Sequence, residues 1–358
     1  LENVLFQKQL GTLKEKSERI SALSGSIAKS LSEDNALATR AGLLCKTDLM
    51  TEMVLEFPQV QGTMGKYYAQ HDGEQEAVAQ ALEDQYRPRF SGDALPKGNI
   101  GCIVAIADKI DSLVGIFGIN QPPKGDKDPF ALRRAAIGLI RIIIEKDLDL
   151  DIKELVSNGV ELYGDKLLND NVVNDVLNFV LGRYKAFYQE QNIAVDVIQA
   201  VLAKSPTAPL DFDKRIKAVS HFKSLPESLT LAAANKRVGN ILAKFDGELL
   251  ESFNQALAIE EAEKSLANVF DDIKAKVSPL IANKDYQKAL SELVSLKEPV
   301  DTFFDSVMVM AEDEAVKTNR LTLLNEIRIA FLLLQIFLCF SKHTLFNMCI
   351  GLSTWVLN

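Results

Sequence analysis

Apolar residues recur every three to four positions along nearly the whole chain, and this spacing predicts helices rather than alternating strands. The stretch Gly101–Ile144 shows the pattern clearly: an apolar helix carries Asp108 and Asp111, and a Pro- and Gly-rich connection leads to a second apolar helix. We expect Asp128 to cap that second helix, with Pro129 at its first position, where a missing N–H costs nothing. No strand pattern is convincing, so the sequence predicts an all-α protein.

The clearest break in the helical pattern predicts a domain boundary near residue 205. The Ser-Pro-Thr-Ala-Pro run at 205–209 is the strongest boundary signal. Beyond it, residues 206–245 hold seven Lys or Arg against three Asp or Glu, whereas residues 246–300 hold six against eleven. This reversal predicts a basic helical face followed by an acidic, solvated helical hairpin.

Composition narrows the possible functions. The net charge of −9 argues against indiscriminate nucleic-acid binding, so such binding requires a local basic patch. The four cysteines form no CxxC pair or disulfide framework, which fits a reducing compartment. The three histidines make a multi-histidine metal site improbable. The chain opens at Leu1, inside a predicted amphipathic helix over residues 1–30, and we expect it to be a piece of a longer protein.

The doublet His71-Asp72 is the first candidate for chemistry. A metal-dependent HD phosphohydrolase combines an upstream His, a His-Asp pair and a distal Asp around one or two cations, but no histidine precedes His71. We therefore interpret the doublet as a helix-terminal His and a capping Asp. Cys45, on an apolar helix face, is interpreted as a small core residue rather than a nucleophile.

Two other segments resemble the helices on which HD domains carry their ligands. The run AGLLCKTD (41–48) places Cys45 and Lys46 at the doublet positions, and IADKID (106–111) places Asp108 at the position of the last ligand. A single carboxylate does not make a divalent metal site. The resemblance therefore implies a degenerate HD-like domain with no bound metal, in which Asp108 is vestigial and Asp111 is a surface or pairing carboxylate.

A basic region follows the 205–209 linker. Helical spacing places Arg215 and Phe222 about two turns apart, and a second predicted helix carries Lys236 and Arg237. Positive charge beside an exposed aromatic ring suits single-stranded RNA, whose bases stack on rings while phosphates bind Lys and Arg. An ordinary solvated face remains the other interpretation of the same charges.

Long stretches of the chain resemble the β subunit of bacterial heterotetrameric glycyl-tRNA synthetases. They include AGLLCKTDLMTEMVLEFPQVQGTMGKYYA, IADKIDSLVGIFGINQPPKGDKDPFALRRAA and AVSHFKSLPESLTLAAANKRVGNILAK, and the similarity runs from Leu1 to about Phe331. The resemblance implies the C-terminal half of that subunit. It implies a degenerate HD-like domain over 1–150, a helical connector over 151–205 and a DALR-type anticodon-binding helical bundle over 206–333.

The resemblance also implies a function. The chain would orient tRNA(Gly) for ATP-dependent aminoacylation at the α-subunit active site, within a cytoplasmic α2β2 heterotetramer and away from membranes. It would bind no cofactor itself and carry no catalytic residue, since ATP with magnesium would be used by the α subunit. The anticodon contacts are expected at Arg215, Lys217, Phe222, Lys236 and Arg237. Possible contacts with tRNA or between domains are expected at Lys46, Arg133 and Arg134. A metal-dependent HD phosphohydrolase and an all-helical protein-binding scaffold are the alternatives.

The C-terminus departs from the family after Phe331. Back-translation of Leu334 to Lys342 in a frame shifted by one base can spell Ala-Asp-Ile-Ser-Val-Leu-Gln and a stop, which is similar to the ending of family members. We therefore expect a one-base frameshift just before Leu334 and an aberrant tail over 334–358. A membrane anchor is disfavoured because the apolar run 329–340 is only 12 residues long.

Overall fold

The structure, a computed structural model, describes residues 1–333, and it is built almost entirely of helices. The predicted all-α class is confirmed. None of the helices in this part of the chain is both long and apolar enough to cross a lipid bilayer. The predicted aberrant tail, 334–358, lies outside the described residues. The chain forms two compact units, one of residues 1–187 with 207–210 and one of residues 188–206 with the chain from Asp211 onward.

The first unit opens with a short hairpin that the helical periodicity did not predict. Strands β1 (Leu5–Gln7) and β2 (Gly11–Thr12) pair antiparallel, so the helix predicted over 1–30 begins only at Leu13. The start of that helix is fixed by a capping box: the Thr12 hydroxyl accepts from the Glu15 N–H at 3.3 Å, and the Glu15 carboxylate accepts from the Thr12 N–H at 2.7 Å.

Nine helices follow in order, and the last of them, α9, runs across the boundary between the units. They are α1 (Leu13–Ser30), α2 (Asn35–Leu44), α3 (Glu52–Glu56), α4 (Thr63–His71), α5 (Glu76–Asp84), α6 (Asn99–Gly118), α7 (Leu132–Glu145), α8 (Ile152–Tyr163) and α9 (Val172–Gln189). Helix α6 is buried along almost its full length and packs against α1, α2, α5, α7 and α8. It is the apolar helix at the start of the Gly101–Ile144 stretch, and it forms the core of this unit.

Close packing of α1 on α2 depends on Gly42. A Cβ at this position would lie 2.7 Å from the Ser21 Cα, so a larger residue would push the two helices apart. The contact brings the C-terminal end of α2, and with it Cys45 and Lys46, close to the central helix α6.

The start of α7 differs from the prediction. The helix begins at Leu132, after Ala131 in the left-handed conformation (φ 55°), so Pro129 is not its first residue. Asp128 still satisfies the helix end: its two carboxylate oxygens accept from the N–H groups of Leu132 and Arg133, each at 2.9 Å. The capping residue was therefore identified correctly, but it acts through a longer loop than a standard N-cap.

The connector predicted over 151–205 is divided between the two units. Helix α8 packs against α1 and α6 in the first unit, and Thr207 returns to it, donating from its hydroxyl to the Asp151 carboxylate and accepting from the Ile152 N–H at 3.0 Å. The Pro-rich 205–209 run is thus a crossing point between the units rather than a simple linker.

The second unit is a bundle whose core contains Phe222, Phe270, Leu290, Phe303 and Leu324. Its helices are α10 (Val195–Leu202), α11 (Pro209–Lys223, belonging to this unit from Asp211), α12 (Glu227–Leu242), α13 (Glu261–Ala282), α14 (Tyr286–Val294), α15 (Lys297–Ser306) and α16 (Glu314–Leu333). The predicted acidic hairpin corresponds to α13 and α14, and each buries one apolar face in the core.

Candidate nucleic-acid interface

Asp108, which the resemblance to HD domains predicted to be vestigial, lies on α6 in a buried ion network. The Lys46 Nζ donates to its Oδ2 at 2.9 Å, and the Lys16 Nζ lies 3.1 Å from its Oδ1. Burial opposes ionisation of Asp108, but the ammonium groups of Lys46 and Lys16 outweigh that effect and hold the pKa of this carboxyl well below its ordinary value. Asp108 therefore stays ionised with two lysine partners.

Asp111, one turn further along α6, belongs to the same network. Its carboxylate accepts from the Lys16 Nζ at 2.8 Å and from the Arg19 Nε at 2.6 Å. The Arg19 guanidinium lies over the Tyr163 ring, 4.0 Å from its centroid, and the Tyr163 hydroxyl donates to the Asp111 carbonyl at 2.9 Å. Because Asp111 is fully buried, it is a pairing carboxylate and not a surface one.

The position of Lys46 contradicts its proposed role in binding tRNA. Its side chain is buried, and besides Asp108 it donates to the Gln85 Oε1 at 2.7 Å and lies over the Tyr86 ring. With two internal acceptors and a side chain that is only 6% exposed, Lys46 has almost no surface to offer to a ligand. Lys46 is thus a structural cation of the first unit.

Cys45 is a core residue, as predicted. It is buried, and burial raises the pKa of its thiol to about 12, so the thiol is not a nucleophile near neutral pH. Within residues 1–333, no group of three or more His, Cys, Asp or Glu side chains is arranged to hold a metal ion. The HD-like arrangement itself stays a prediction.

His71 and Asp72 lie at the surface. Helix α4 ends at His71, as predicted, and Asp72 is the residue that follows. Their side chains are exposed, and the His71 Nδ1 lies 3.2 Å from the Asp72 Oδ1. The doublet is a local helix-end contact and belongs to no group of three potential metal ligands among the described residues.

Arg133 and Arg134 both lie at the beginning of α7, at the surface of the first unit. Arg133 is partly exposed and donates to the Gly125 carbonyl, and its guanidinium is 4.0 Å from the Asp128 carboxylate. Arg134 is exposed and donates to the Arg89 carbonyl at 3.3 Å. Their predicted contacts with tRNA or with another domain are therefore sterically possible.

In the second unit, Arg215 serves mainly to hold α11 against α14. Its Nε donates to Asp211 at 2.7 Å and its Nη2 to the Tyr286 hydroxyl at 2.8 Å, and the Tyr286 hydroxyl in turn donates to Asp211. Lys217 is different, since its side chain is 69% exposed although it pairs with Asp213 at 2.6 Å. Arg215 is committed to packing, whereas Lys217 remains accessible.

Phe222 does not have the surface position that RNA stacking requires. Its side chain is fully buried in the core of the second unit. The prediction of an exposed ring two turns from Arg215 is therefore wrong. Helical spacing places two residues on a common side of a helix, but it does not say whether that side faces solvent.

Lys236 and Arg237 lie exposed on α12, where they line an open groove of about 340 Å³ with Ala233, Asn240, Ile241 and Lys244. The Arg237 guanidinium rests on the Phe304 ring, 4.2 Å from its centroid. Within the described chain, no carboxylate lies within 4.0 Å of Lys236, Arg237 or Lys244. The groove thus carries positive charge that the protein itself does not neutralise.

Sequence reasoning missed Asn240 and Lys244 in the groove, and Lys16 and Arg19 in the buried network. A signal existed for the first pair, because Lys236, Asn240 and Lys244 recur at intervals of four residues, which places them on one helix face. For Lys16 and Arg19 the only signal was their interval of three residues on an amphipathic helix. Charged residues at such positions are normally taken to face solvent.

Comparison with known proteins identifies the family. The profile of the glycyl-tRNA synthetase beta subunit family matches residues 1–203, and the profile of the DALR anticodon binding domain matches residues 231–336. The chain belongs to the glycyl-tRNA synthetase beta subunit family. The α12 groove lies inside the DALR match, whereas Arg215, Lys217 and Phe222 precede it.

Curated members of the glycyl-tRNA synthetase beta subunit family are similar over almost the whole chain. A "Glycine--tRNA ligase beta subunit" from Colwellia psychrerythraea is 73% identical over 331 residues, covering 92% of this chain and 48% of that protein. Proteins of the same name from Aeromonas hydrophila and Tolumonas auensis are each 61% identical over 332 residues, covering 93% of this chain and 48% of theirs. The chain therefore spans about half the length of the curated relatives it matches.

Proposed function

We propose that this chain is the tRNA-handling half of a glycine–tRNA ligase β subunit and that it binds tRNA(Gly) through the α12 groove. The observation that carries the proposal is the unneutralised positive charge of Lys236, Arg237 and Lys244 within the region that matches the anticodon-binding profile. Phosphate groups are the natural partners of such cations, and a local positive patch is what nucleic-acid binding requires of a chain whose net charge is −9.

The groove also offers polar and flat surfaces for nucleotides. Asn240 has an amide that both donates and accepts, which suits a base edge. Arg237 is held flat on Phe304, so its guanidinium presents one face for stacking and its N–H groups for a phosphate. Orientation of the tRNA is the contribution of this chain, and none of its groups takes part in the chemical step.

The remaining parts of the proposal concern the partners. The catalytic site, with ATP and magnesium, would lie on an α subunit in a cytoplasmic α2β2 heterotetramer. The names of the curated relatives, which are β subunits of glycine–tRNA ligases, support an assembly with a second kind of subunit.

The proposal is tested by measuring binding of fluorescent tRNA(Gly) and a non-cognate tRNA to the full chain as a function of salt. We expect the double substitution Lys236→Ala and Arg237→Ala to weaken tRNA binding. The slope of log K against log[salt] should also fall by roughly 1 for each phosphate that the variant no longer neutralises. The matched control is Lys276→Ala with Lys288→Ala, which removes two exposed lysines that lie close to Glu292 and Asp285.

Two results would contradict the proposal. One is equal weak affinity of the unsubstituted chain for both tRNAs, which leaves only a non-specific cationic surface. The other is an equal loss of affinity in the α12 and control variants, which would mean that total charge and not the groove governs binding. A chain that binds an α subunit but no tRNA would instead support the protein-binding scaffold.

A further inference from the structure

A second basic surface lies in the first unit, on the loop after α5 and the start of α7. Its cations are Arg89, Arg133 and Arg134 together with two exposed lysines, Lys124 and Lys127. Hydrogen bonds join them into one surface, since Arg134 donates to the Arg89 carbonyl and Arg133 donates to the Gly125 carbonyl between the lysines. None of these five residues belongs to the α12 groove or to the buried ion network around Asp108 and Asp111.

Two arginines of this surface, Arg89 and Arg134, are held by carbonyls and not by acids, whereas Arg133 also lies 4.0 Å from the Asp128 carboxylate. The Arg89 Nη2 donates to the Gln61 carbonyl at 3.1 Å, and the Arg134 Nη1 donates to the Arg89 carbonyl at 3.3 Å. No carboxylate among the described residues lies within 4.0 Å of either guanidinium. Carbonyl acceptors orient a guanidinium but leave its full charge in place, which prepares it for an external anion.

Most other arginines of the first unit differ from Arg89 and Arg134 because they have a carboxylate partner. Four of them form an ion pair with a carboxylate of the protein, namely Arg19 with Asp111, Arg40 with Glu74, Arg87 with Glu83, and Arg141 with Glu145, whereas the guanidinium of Arg183 lies over the Phe179 ring. Because these four are compensated internally, the uncompensated state of Arg89 and Arg134 is a local property and not a general feature of arginines in this unit.

The acids nearest to the surface only partly offset its charge. Asp93 and Asp128 use their carboxylates to accept backbone N–H groups, from Arg89 and Ala94 and from Leu132 and Arg133 respectively. With the exposed Asp126 they make three carboxylates against five cations. The surface therefore remains positive in a chain whose net charge is −9.

An exposed aromatic ring completes the surface. Phe90 directly follows Arg89, and its side chain is 61% exposed. The Asp93 N–H donates to the Phe90 carbonyl at 3.2 Å, so the ring stands on a hydrogen-bonded turn. Oriented cations beside an ordered, solvent-facing ring are the combination that binds single-stranded nucleic acid, with phosphates on the cations and a base on the ring.

We propose that the surface formed by Arg89, Phe90, Arg133, Arg134, Lys124 and Lys127 binds a single-stranded segment of RNA. The inference rests on the proposed function, because the RNA would be an unpaired part of the same tRNA that the α12 groove holds. RNA is favoured over a protein partner because four of the five cations of the surface have no carboxylate within 4.0 Å among the described residues, whereas the core of a protein interface is depleted of charge.

The first test measures tRNA(Gly) affinity and its salt dependence for the full chain carrying Arg89→Ala and Arg134→Ala. We expect weaker binding and a salt slope reduced by about 0.7 for each phosphate that is no longer neutralised, the value for single strands. The matched control, Arg40→Ala with Lys166→Ala, removes two cations of the same unit that are already paired with Glu74 and Glu15. It is expected to bind like the unsubstituted chain.

A second variant tests the same surface in case the arginine variant fails to fold. Lys124 and Lys127 pair with each other only through backbone N–H and carbonyl groups, so Lys124→Ala with Lys127→Ala removes the charges and leaves the turn intact. We expect the same direction of change in affinity and slope. If neither this variant nor a well-folded arginine variant changes tRNA binding, the proposal is overturned.

The ring is tested with two defined probes, a uridine 12-mer and a blunt 12-base-pair RNA duplex. Phe90→Ala is expected to weaken binding of the 12-mer at least about fivefold and to leave the duplex unaffected, because only unpaired bases stack on the ring. No effect, or an equal effect on both probes, would overturn the stacking role.

The outcomes separate this inference from the proposed function. If the Lys236 and Arg237 variant weakens tRNA binding and the Arg89 and Arg134 variant does not, only the inference fails. If the unsubstituted chain binds no tRNA, the proposed function fails with it. If the Arg89 and Arg134 variant loses α-subunit association but keeps its RNA affinity, the surface is a protein interface and the inference is wrong.

Discussion

The Lys46 ammonium donates to the Asp108 carboxylate at 2.9 Å inside the first unit, where it ties the residue after α2 to the central helix α6. Burial works against the charge on Lys46, but Asp108 outweighs it and raises the pKa of Lys46 above its ordinary value, while the pKa of Asp108 is lowered. Both groups are therefore ionised throughout the physiological range. The pair therefore acts by holding the residue after α2 against α6, and its effect on stability does not change with pH in this range.

Substitution of Lys46 by Met tests how much this pair contributes. Breaking a buried ion pair by removing one partner costs about 3–5 kcal/mol, because the other charge is left buried. Asp108 keeps Lys16 nearby and is 19% exposed, so we expect a loss in the free energy of unfolding at the lower end, roughly 3 kcal/mol. Urea unfolding followed by circular dichroism measures the loss.

The control for this prediction is Arg40→Met, which breaks the exposed pair between Arg40 and Glu74. Exposed pairs contribute at most about 1 kcal/mol, so the two variants should differ clearly in their urea midpoints. Equal stability losses in both variants would mean that the buried position of Lys46 has no special cost. A Lys46→Met protein with unchanged stability would contradict the structural role outright.

Lys109 gives a pH-dependent prediction. It is buried on α6 and donates to the carbonyls of Arg87 and Ala105, and burial lowers the pKa of its ammonium from 10.5 to about 8. Below pH 8 both the folded and the unfolded chain hold this proton. Between pH 8 and 10.5 only the unfolded chain holds it, so the contribution of Lys109 to stability rises with pH.

The measurement compares the unsubstituted chain with Lys109→Met, since other groups that titrate in this range are common to both. The difference in the free energy of unfolding should move in favour of the unsubstituted chain by about 3 kcal/mol between pH 8 and 10.5. A difference that stays constant over this range would mean that the pKa of Lys109 is the same in the folded and unfolded chain.

Local signals in the sequence predicted several features of this fold correctly. The 3.6-residue periodicity predicted the helices, Asp128 was identified as a cap, and the apolar setting of Cys45 predicted a core residue. The β1–β2 hairpin was missed because its two strands are very short and have no alternating pattern. The start of α7 was misplaced because a Pro after an Asp is typical of a helix start even when the helix begins three residues later.

Long-range partners could not be predicted in the same way. Lys16 and Asp111 are 95 residues apart in sequence, and no local rule indicates that they meet. The same limit explains Lys46, which was predicted to be accessible because its partners Asp108 and Gln85 are distant in sequence. The α12 groove was found in part because its residues follow each other on one helix, so a local pattern contained the information.

The buried position of Phe222 leads to the last prediction. Phe222→Ala should lower the free energy of unfolding by about 3–5 kcal/mol through loss of buried area and creation of a cavity. Leu229→Ala on α12, whose side chain is 68% exposed, is the matched control and should change it by less than about 0.5 kcal/mol. Phe222→Leu, a milder change, should fold and bind tRNA with unchanged affinity and salt slope, because the ring does not face solvent. A Phe222→Leu protein of normal stability but reduced affinity would mean that a base reaches this ring, and RNA binding in the second unit would then have to be extended from α12 to α11.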